Sequence, residues 1–228
     1  MPSPPSIVDG LRLAANGAIG VAIAWHILTC AAARALLARW RPSHRMAGAL
    51  LAGPIASASV IALAYDNPFN VWLLGVLALA LVGSASRLDA HRVRRGGAAS
   101  TLLGLVMIGF GWLYPHFLET RPATTYLFGA ATGVLPCPTI ALVIGFALLA
   151  GGLGSMVWSL MLGAVGLFYG LFGVLRLGVR LDIVLVGGSL ALLWLGFGLW
   201  RATHPHGLTR SHDVRSIHTS PQLPPPIR

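Results

Sequence analysis

The chain has 228 residues, of which 56% are hydrophobic and 10% are charged, and its mean hydropathy is +0.76. Soluble domains carry about 25% charged residues, so this composition is typical of a membrane protein. The net charge of +10 comes from arginines in short clusters between apolar runs. That pattern orients membrane helices and argues against nucleic-acid binding. The two cysteines both lie in apolar runs, which excludes a secreted disulfide framework and a zinc ribbon.

Apolar runs long enough to cross a bilayer recur along the chain. Residues 1–12 are predicted to be a short tail, and residues 201–228 a disordered tail rich in Arg, His and Pro. Asn67-Pro68 predicts a turn over 66–70. The expected fold is all-α, an integral membrane bundle over residues 13–200 whose partner is the lipid bilayer. Its seven predicted spans are 13–37, 46–65, 71–86, 99–117, 126–149, 156–175 and 182–200.

Arginine clusters follow the first and the third predicted span. The connector 39–45 is strongly basic, and the connector 87–97 carries four arginines against the single acid Asp89. Because positive connectors stay in the cytoplasm, the amino terminus is expected outside and the carboxy terminus inside. Arg176 and Arg180 then fall on the outer side. Either they snorkel there, or the fifth element is a re-entrant hairpin and the spans number six.

The fifth predicted span, 126–149, contains two prolines separated by one residue. Proline lacks an N–H and crowds the carbonyl four residues back. The pair therefore predicts a kink or an unwound segment at Cys137, with free carbonyls at Thr132 and Val134. In hydrocarbon such a break survives only where protein or a water-lined cavity covers it. The residues predicted to line a substrate path are Thr132, Val134, Pro136, Cys137, Pro138, Thr139 and His26.

The first span carries His26, Cys30 and Arg34 at intervals of four, so the three side chains share one helix face. His26 and Cys30 are candidates, with Cys137, for a soft-metal or thiol-redox site. The alternative is that His26 makes one interhelical hydrogen bond, Cys30 packs as a small apolar residue and Arg34 snorkels to the interface. No cofactor is expected. The tail histidines His204, His206, His212 and His218 are interpreted as solvated chain.

The sixth span has glycines spaced by three and four residues. These are Gly163, Gly166, Gly170 and Gly173. A stripe of small residues lets helix backbones approach closely, so it predicts tight bundle packing. A glycine-lined substrate path is the alternative.

Motifs typical of enzymes are missing from the sequence. It contains neither a nucleotide-binding loop nor a Gly-x-Ser-x-Gly elbow, and no His-Glu-x-x-His pair. No carboxylate lies inside a predicted span, since Asp66, Glu119 and Asp182 mark span ends. Proton-coupled transporters usually place a carboxylate or histidine at membrane depth, and His26 is the one residue of that kind. The case for an enzyme is thin.

The motif Gly-Val-x-Pro-Cys-Pro-Thr at 133–139, with the later Gly145, resembles a family of uncharacterised bacterial multi-pass membrane proteins. Asn67-Pro68 followed by Trp72 is similar to an Asn-Pro-aromatic turn of that family. The resemblance implies the architecture and a bacterial cytoplasmic membrane, and it brings no established activity. A weaker similarity, to nickel/cobalt exporters and to membrane thiol-reductant carriers, rests on Pro-Cys-Pro alone. The exporters add His- and Asp-rich motifs, whereas the first span here has only His26.

Three functions follow as hypotheses from different classes. The first is a small-solute or ion permease that uses the broken fifth helix, because unwound backbone at membrane depth supplies carbonyl ligands. The second is a structural or accessory membrane subunit with a membrane-protein partner or a second copy of the chain. The third is a thiol-redox or metal-handling protein. A polar cavity near Pro136 would favour the permease, a dry packed kink the accessory subunit, and adjacent Cys30 and Cys137 sulfurs the thiol-redox protein.

Overall fold

The computed structural model describes residues 3–118 and 121–203. Residues 201–203 of the predicted disordered tail 201–228 belong to the last helix, which corrects the start of that tail. The rest of the tail, with its four histidines, and Glu119 lie outside the described residues. The described secondary structure is helical apart from one isolated bridge, which confirms the all-α class. Three short 3-10 helices occupy connections at Ala123–Thr125, Gly151–Gly154 and Arg180–Asp182. In chain order the helices are α1 (Pro4–Gly17), α2 (Ile19–Leu37), α3 (His44–Ala64), α4 (Pro68–Ala85), α5 (Ala98–Leu113), α6 (Tyr126–Gly129), α7 (Pro136–Leu149), α8 (Met156–Arg176) and α9 (Ile183–Thr203).

Four helical units of the described chain are long and apolar enough to cross a membrane: α3, α4, α8 and the unit Arg180–Arg201, which includes most of α9. The pair α1 and α2 also passes this test as one unit, although it is bent by 66°. α5 and α7 are shorter apolar helices. The described chain is therefore an all-helical bundle with four or five long apolar units that could span a membrane. The count of seven stays a prediction.

The first predicted span is divided into two helices. Residues 4–12, assigned to a tail, belong with the start of that span to α1, and the chain bends at Ala18 before α2 begins. Asn16 holds the end of α1, because its side-chain amide donates to the Phe117 carbonyl at 3.0 Å and to the Arg12 carbonyl at 2.9 Å. A long-range contact therefore decides where the helix turns.

The turn between α3 and α4 is shorter than predicted. Asp66 has a positive φ of 50°, and Asn67 caps α4 by accepting from the Asn70 N–H at 3.2 Å. Pro68 is the first residue of α4, a position where proline costs no hydrogen bond and its fixed φ suits the helix. α4, which corresponds to the third predicted span, therefore begins three residues before the predicted position 71.

Glycines bring antiparallel helices into close contact. A Cβ added at Gly104 on α5 would lie 2.7 Å from the Gly145 carbonyl on α7. The glycine stripe of α8 faces α9, where a Cβ at Gly163 would lie 2.9 Å from Leu193 and one at Gly170 would lie 2.8 Å from Val186. The stripe serves close packing, as the sequence predicts.

α7 is the central helix of the bundle. Its residues are buried except for Cys137, Phe146 and Leu149, and it contacts α3, α5, α8 and α9. A helix that is apolar on every face belongs in the interior. Its first turn, which carries the Pro-Cys-Pro segment, is consequently surrounded by other elements.

The bundle has two chemically different ends. At one end, which we call the arginine end, the connectors 38–43 and 86–97 pair through the bridge between Ser43 and Arg92. The C-terminal end of α7 lies there too, since the Gly96 N–H donates to the Leu149 carbonyl at 2.9 Å. At the opposite end, the broken-helix end, the chain forms the segment 130–135.

Candidate functional site

The helix break precedes the prolines. α6 ends at Gly129, the segment 130–135 is not helical, and α7 begins at Pro136. Pro136 and Pro138 are therefore the first and third residues of a helix, where no intrahelical N–H bond is lost. The prediction that they interrupt a continuous helix is wrong in this respect, because the carbonyls four residues back, at Thr132 and Val134, stand outside any helix. Cys137 lies in the first helical turn.

The backbone of the break is held by α7 and α3. The Thr139 hydroxyl accepts from the Gly133 N–H at 2.8 Å and donates to the Leu135 carbonyl at 2.5 Å. Ser57 of α3 donates to the Gly133 carbonyl at 2.8 Å and accepts from the indole N–H of Trp25 at 2.9 Å. Gly133 has a φ of +74° and packs on Trp25, so no other residue fits there.

The Thr132 hydroxyl donates to the Gly111 carbonyl of α5 at 2.8 Å. Of the predicted path residues in this segment, Thr132, Val134, Pro136, Pro138 and Thr139 are all buried. The break is thus covered by protein, one of the two ways in which non-helical backbone survives at membrane depth. Two shallow, open grooves of the described surface lie elsewhere, along the start of α4 around Pro68.

Three elements meet on one buried carboxylate at the broken-helix end. The Tyr114 hydroxyl, just after α5, donates to Asp182 Oδ1 at 2.7 Å. The Cys137 thiol, in the first turn of α7, donates to Asp182 Oδ2 at 3.3 Å. Asp182, which closes the 3-10 helix before α9, is 1% exposed. We call these three residues the carboxylate cluster.

Within the described part of the chain, the carboxylate cluster has no balancing cation. Among the described residues no arginine or histidine forms an ion pair with Asp182, and Arg180, two positions earlier, is exposed. Gly173 of α8 leaves the room that the carboxylate occupies, since a Cβ there would lie 2.8 Å from Asp182 Cγ. An uncompensated buried carboxylate is costly unless it is neutralised. The cluster is therefore suited to holding a proton or a small cation.

A second buried polar pair lies at the interface of α4 and α8. The Tyr169 hydroxyl donates to the Asn70 side-chain oxygen at 2.8 Å, and the residues are 4% and 6% exposed. Tyr169 is one turn from Gly173 and shares its face of α8. The polar interior thus extends beyond the carboxylate cluster.

His26 and Cys30, the remaining candidates of the first predicted span, lie in different surroundings. Both ring nitrogens of His26 contact backbone carbonyls, Nδ1 that of Ala22 at 2.8 Å and Nε2 that of Trp112 at 3.0 Å. Cys30 is exposed, and both it and Cys137 are free thiols. No group of three or more potential metal ligands occurs in the part of the chain that the structure describes. His26 makes the interhelical contact of the alternative interpretation.

Sequence reasoning missed Tyr114 and Asp182 as site residues. Asp182 marks the start of an apolar run, and Tyr114 belongs to an aromatic stretch followed by proline, so each has an ordinary explanation at a membrane interface. The signal available was the rarity of acids, six in 228 residues. In a chain with so few acids, an acid at the end of a predicted span is a candidate site residue.

Comparison of the chain with protein-family models, with curated proteins and with solved structures finds no match. The resemblance carried by the Pro-Cys-Pro-Thr motif therefore remains an expectation from the sequence.

Proposed function

We propose that the chain is a membrane permease for a small solute or ion, in which Asp182 carries a proton or a small cation. The observation that supports this most is the carboxylate cluster. A carboxylate that is 1% exposed shares its oxygens between a hydroxyl and a thiol and has no ion-pair partner among the described residues. Ionisable groups inside membrane proteins are expensive, and they mark ion pathways and proton relays.

The discontinuous helix next to the cluster also supports transport. Cys137 belongs to the turn that follows the break at 130–135, so movement at the break would move a hydrogen-bond partner of Asp182. Broken helices at the substrate site are common in transporters, where half-helix ends and free backbone groups face the cargo. Here those backbone groups are occupied by Ser57 and Thr139, and we assign this arrangement to a closed state.

We further propose seven crossings of a bacterial cytoplasmic membrane by α2, α3, α4, α5, α7, α8 and α9. The amino terminus is then outside and the carboxy terminus in the cytoplasm. What supports this orientation is the unequal charge of the two ends. The connectors 38–43 and 86–97 at the arginine end carry six arginines and the single acid Asp89, and positive connectors remain in the cytoplasm.

The test is a flux measurement on the full chain reconstituted in liposomes that contain a pH-sensitive dye. A potassium diffusion potential drives protons inward. The wild type should acidify the lumen faster than protein-free liposomes, and Asp182→Asn should reduce the rate to that background. Gly187→Ala, at a helical glycine with open space around it, should keep the wild-type rate. Equal rates for the wild type and Asp182→Asn would contradict the role of the carboxylate.

A structural or accessory subunit is the second candidate, favoured by the close packing of the break. It needs a membrane-protein partner or a second copy of the chain and no pathway. A membrane-impermeant maleimide applied to native membranes of the Cys30→Ala variant distinguishes the two, because Cys137 is then the one remaining thiol. Labelling of Cys137 from one side supports the permease. Complete protection from both sides supports the accessory subunit.

A further inference from the structure

The two basic connectors of the arginine end form one surface. The bridge between Ser43 and Arg92 is antiparallel, and backbone hydrogen bonds of 2.9 and 3.0 Å flank it. Arg92 is a member of this bridge, and Arg41 and Arg94 each stand two positions from it on the two connectors. The bridge therefore brings the three arginines into one region of the surface. All three are exposed.

Among the residues that the structure describes, no carboxylate forms an ion pair with these arginines. The single acid of both connectors is Asp89, and its Oδ1 contacts His44 Nδ1 at 2.6 Å while its Oδ2 contacts His91 Nδ1 at 3.3 Å. Each carboxylate oxygen of Asp89 therefore has a histidine partner. Three more arginines lie in the same connectors. Clustered charges of one sign create a field that attracts the opposite charge, so this surface is complementary to an anion.

The surroundings of the surface indicate the source of the anion. Each connector borders one helix that is long and apolar enough to cross a membrane, α3 or α4, and this places the arginines near the depth of lipid headgroups. Trp40, next to Arg41, is 41% exposed, and tryptophan is typical of the headgroup region. Guanidinium groups bind phosphate oxygens through paired, charge-assisted hydrogen bonds.

We propose that the paired connectors bind the phosphodiester headgroup of an anionic phospholipid, with Arg41, Arg92 and Arg94 as its ligands. This binding site lies at the opposite end of the bundle from the carboxylate cluster and is independent of transport. The pairing of the connectors is what makes it a site, because it brings together arginines that are about fifty residues apart in the sequence.

The experiment uses the purified full chain in detergent micelles, where membrane orientation has no influence. Phosphatidylglycerol, phosphatidylcholine and inorganic phosphate are titrated separately, and bound lipid is counted by native mass spectrometry. Arg92→Gln with Arg94→Gln should weaken phosphatidylglycerol binding roughly 30-fold, since each arginine near a lipid surface contributes about 1 kcal/mol. The matched control is Arg176→Gln with Arg180→Gln, which removes two exposed arginines from the opposite end and should leave binding unchanged.

Three outcomes would overturn the proposal. Equal losses in the two double variants would show diffuse attraction instead of a site. Equal binding of phosphatidylcholine would show that the charge of the headgroup is not recognised. Displacement of the lipid by inorganic phosphate at the same concentration would assign the arginines to a free anion. If the double variant does not fold, Arg41→Gln alone should weaken binding about fivefold, and wild-type affinity of that variant would equally contradict the proposal.

Discussion

At the residue scale, the carboxylate cluster depends on the absence of one side chain. Asp182 occupies the space in front of Gly173, between α8 and the start of α9. Tyr114 and Cys137 reach it from two other elements. A glycine assigned by its spacing to helix packing therefore also makes room for a buried charge.

Replacing Gly173 by alanine tests this arrangement. The added Cβ would lie 2.8 Å from Asp182 Cγ, so the carboxylate must move away from Tyr114 and Cys137. We expect the free energy of unfolding to fall by about 1–3 kcal/mol, the usual cost of overpacking. Thermal unfolding of the detergent-purified protein measures the change.

The control is Gly187→Ala on α9. An added Cβ there has nothing within 4 Å, and alanine is favoured over glycine in a helix by up to about 1 kcal/mol. The variant should be as stable as the wild type or slightly more stable. Equal destabilisation by both substitutions would show that Gly173 has no special relation to Asp182.

At the scale of elements, the break between α6 and α7 is maintained by neighbours on α3 and α7, and the prolines follow it. Ser57 and Thr139 bond the backbone of Gly133, whose positive φ ends the helical path. Pro136 and Pro138 begin α7 with φ values that suit a helix. The break should therefore persist without them.

Pro136→Ala combined with Pro138→Ala tests which residues hold the break. If the prolines interrupted a continuous helix, each replacement would stabilise the protein by about 3 kcal/mol. Since they occupy the first turn, we expect instead a loss of about 0.4–1 kcal/mol for each, because alanine gives the unfolded chain more freedom. Denaturant unfolding distinguishes the two signs, and a large gain in stability would contradict the observed placement of the prolines.

At the scale of the whole molecule, successive connectors lie alternately at the arginine end and at the broken-helix end, and this alternation predicts the membrane topology. Reporter fusions at Ser43 and Gly97, both in connectors of the arginine end, should give a cytoplasmic signal. Fusions at Asn70 and Arg121 should give the opposite one. Opposite signals from Ser43 and Gly97 would contradict the pairing of the two connectors. A periplasmic signal from both would reverse the proposed orientation.

The pairing of the connectors should also respond to acid. The hydrogen bond with His44, with a smaller contribution from His91, lowers the pKa of Asp89 below its usual value. A carboxyl whose pKa is lower in the folded state stabilises the fold above its unfolded pKa, and this contribution is lost as the pH falls through the folded pKa. Asp89→Asn should therefore destabilise the protein at neutral pH, and the difference from the wild type should vanish in acid.

Thermal unfolding of both proteins from neutral pH to about pH 3 follows this difference. It should stay constant down to about pH 4, the usual carboxyl pKa, and shrink below that. Asp9→Asn is the control, because Asp9 is an exposed acid of α1 that contacts Arg12 alone at 3.4 Å. A difference between wild type and Asp89→Asn that did not change with pH would exclude the carboxylate as its cause.

The sequence alone determined the class of fold and most of the helix positions. The bilayer sets the length of an apolar run that can span it and the side on which positive connectors stay. Both features are properties of a local stretch of sequence, so they can be read without knowing the tertiary structure. The turn at Asn67-Pro68 and the packing role of the α8 glycines are equally local. The bend at Ala18 could not be predicted, because it depends on Asn16 meeting Phe117, a residue 101 positions away.

The candidate site was decided by tertiary structure. Cys137 was recognisable because the prolines beside it are unusual in a membrane span, although it lies in the first helical turn after the break and not in the break itself. Its partners were not recognisable, since Tyr114, Cys137 and Asp182 come from three elements and are 23 and 45 positions apart. The local sequence shows the hydrophobic periodicity of a helix and the residues that interrupt it. The hydrogen-bond partners of a buried side chain depend instead on which helices pack together. Only the packing of α5, α7 and α8 around Asp182 brings a hydroxyl and a thiol to one buried carboxylate.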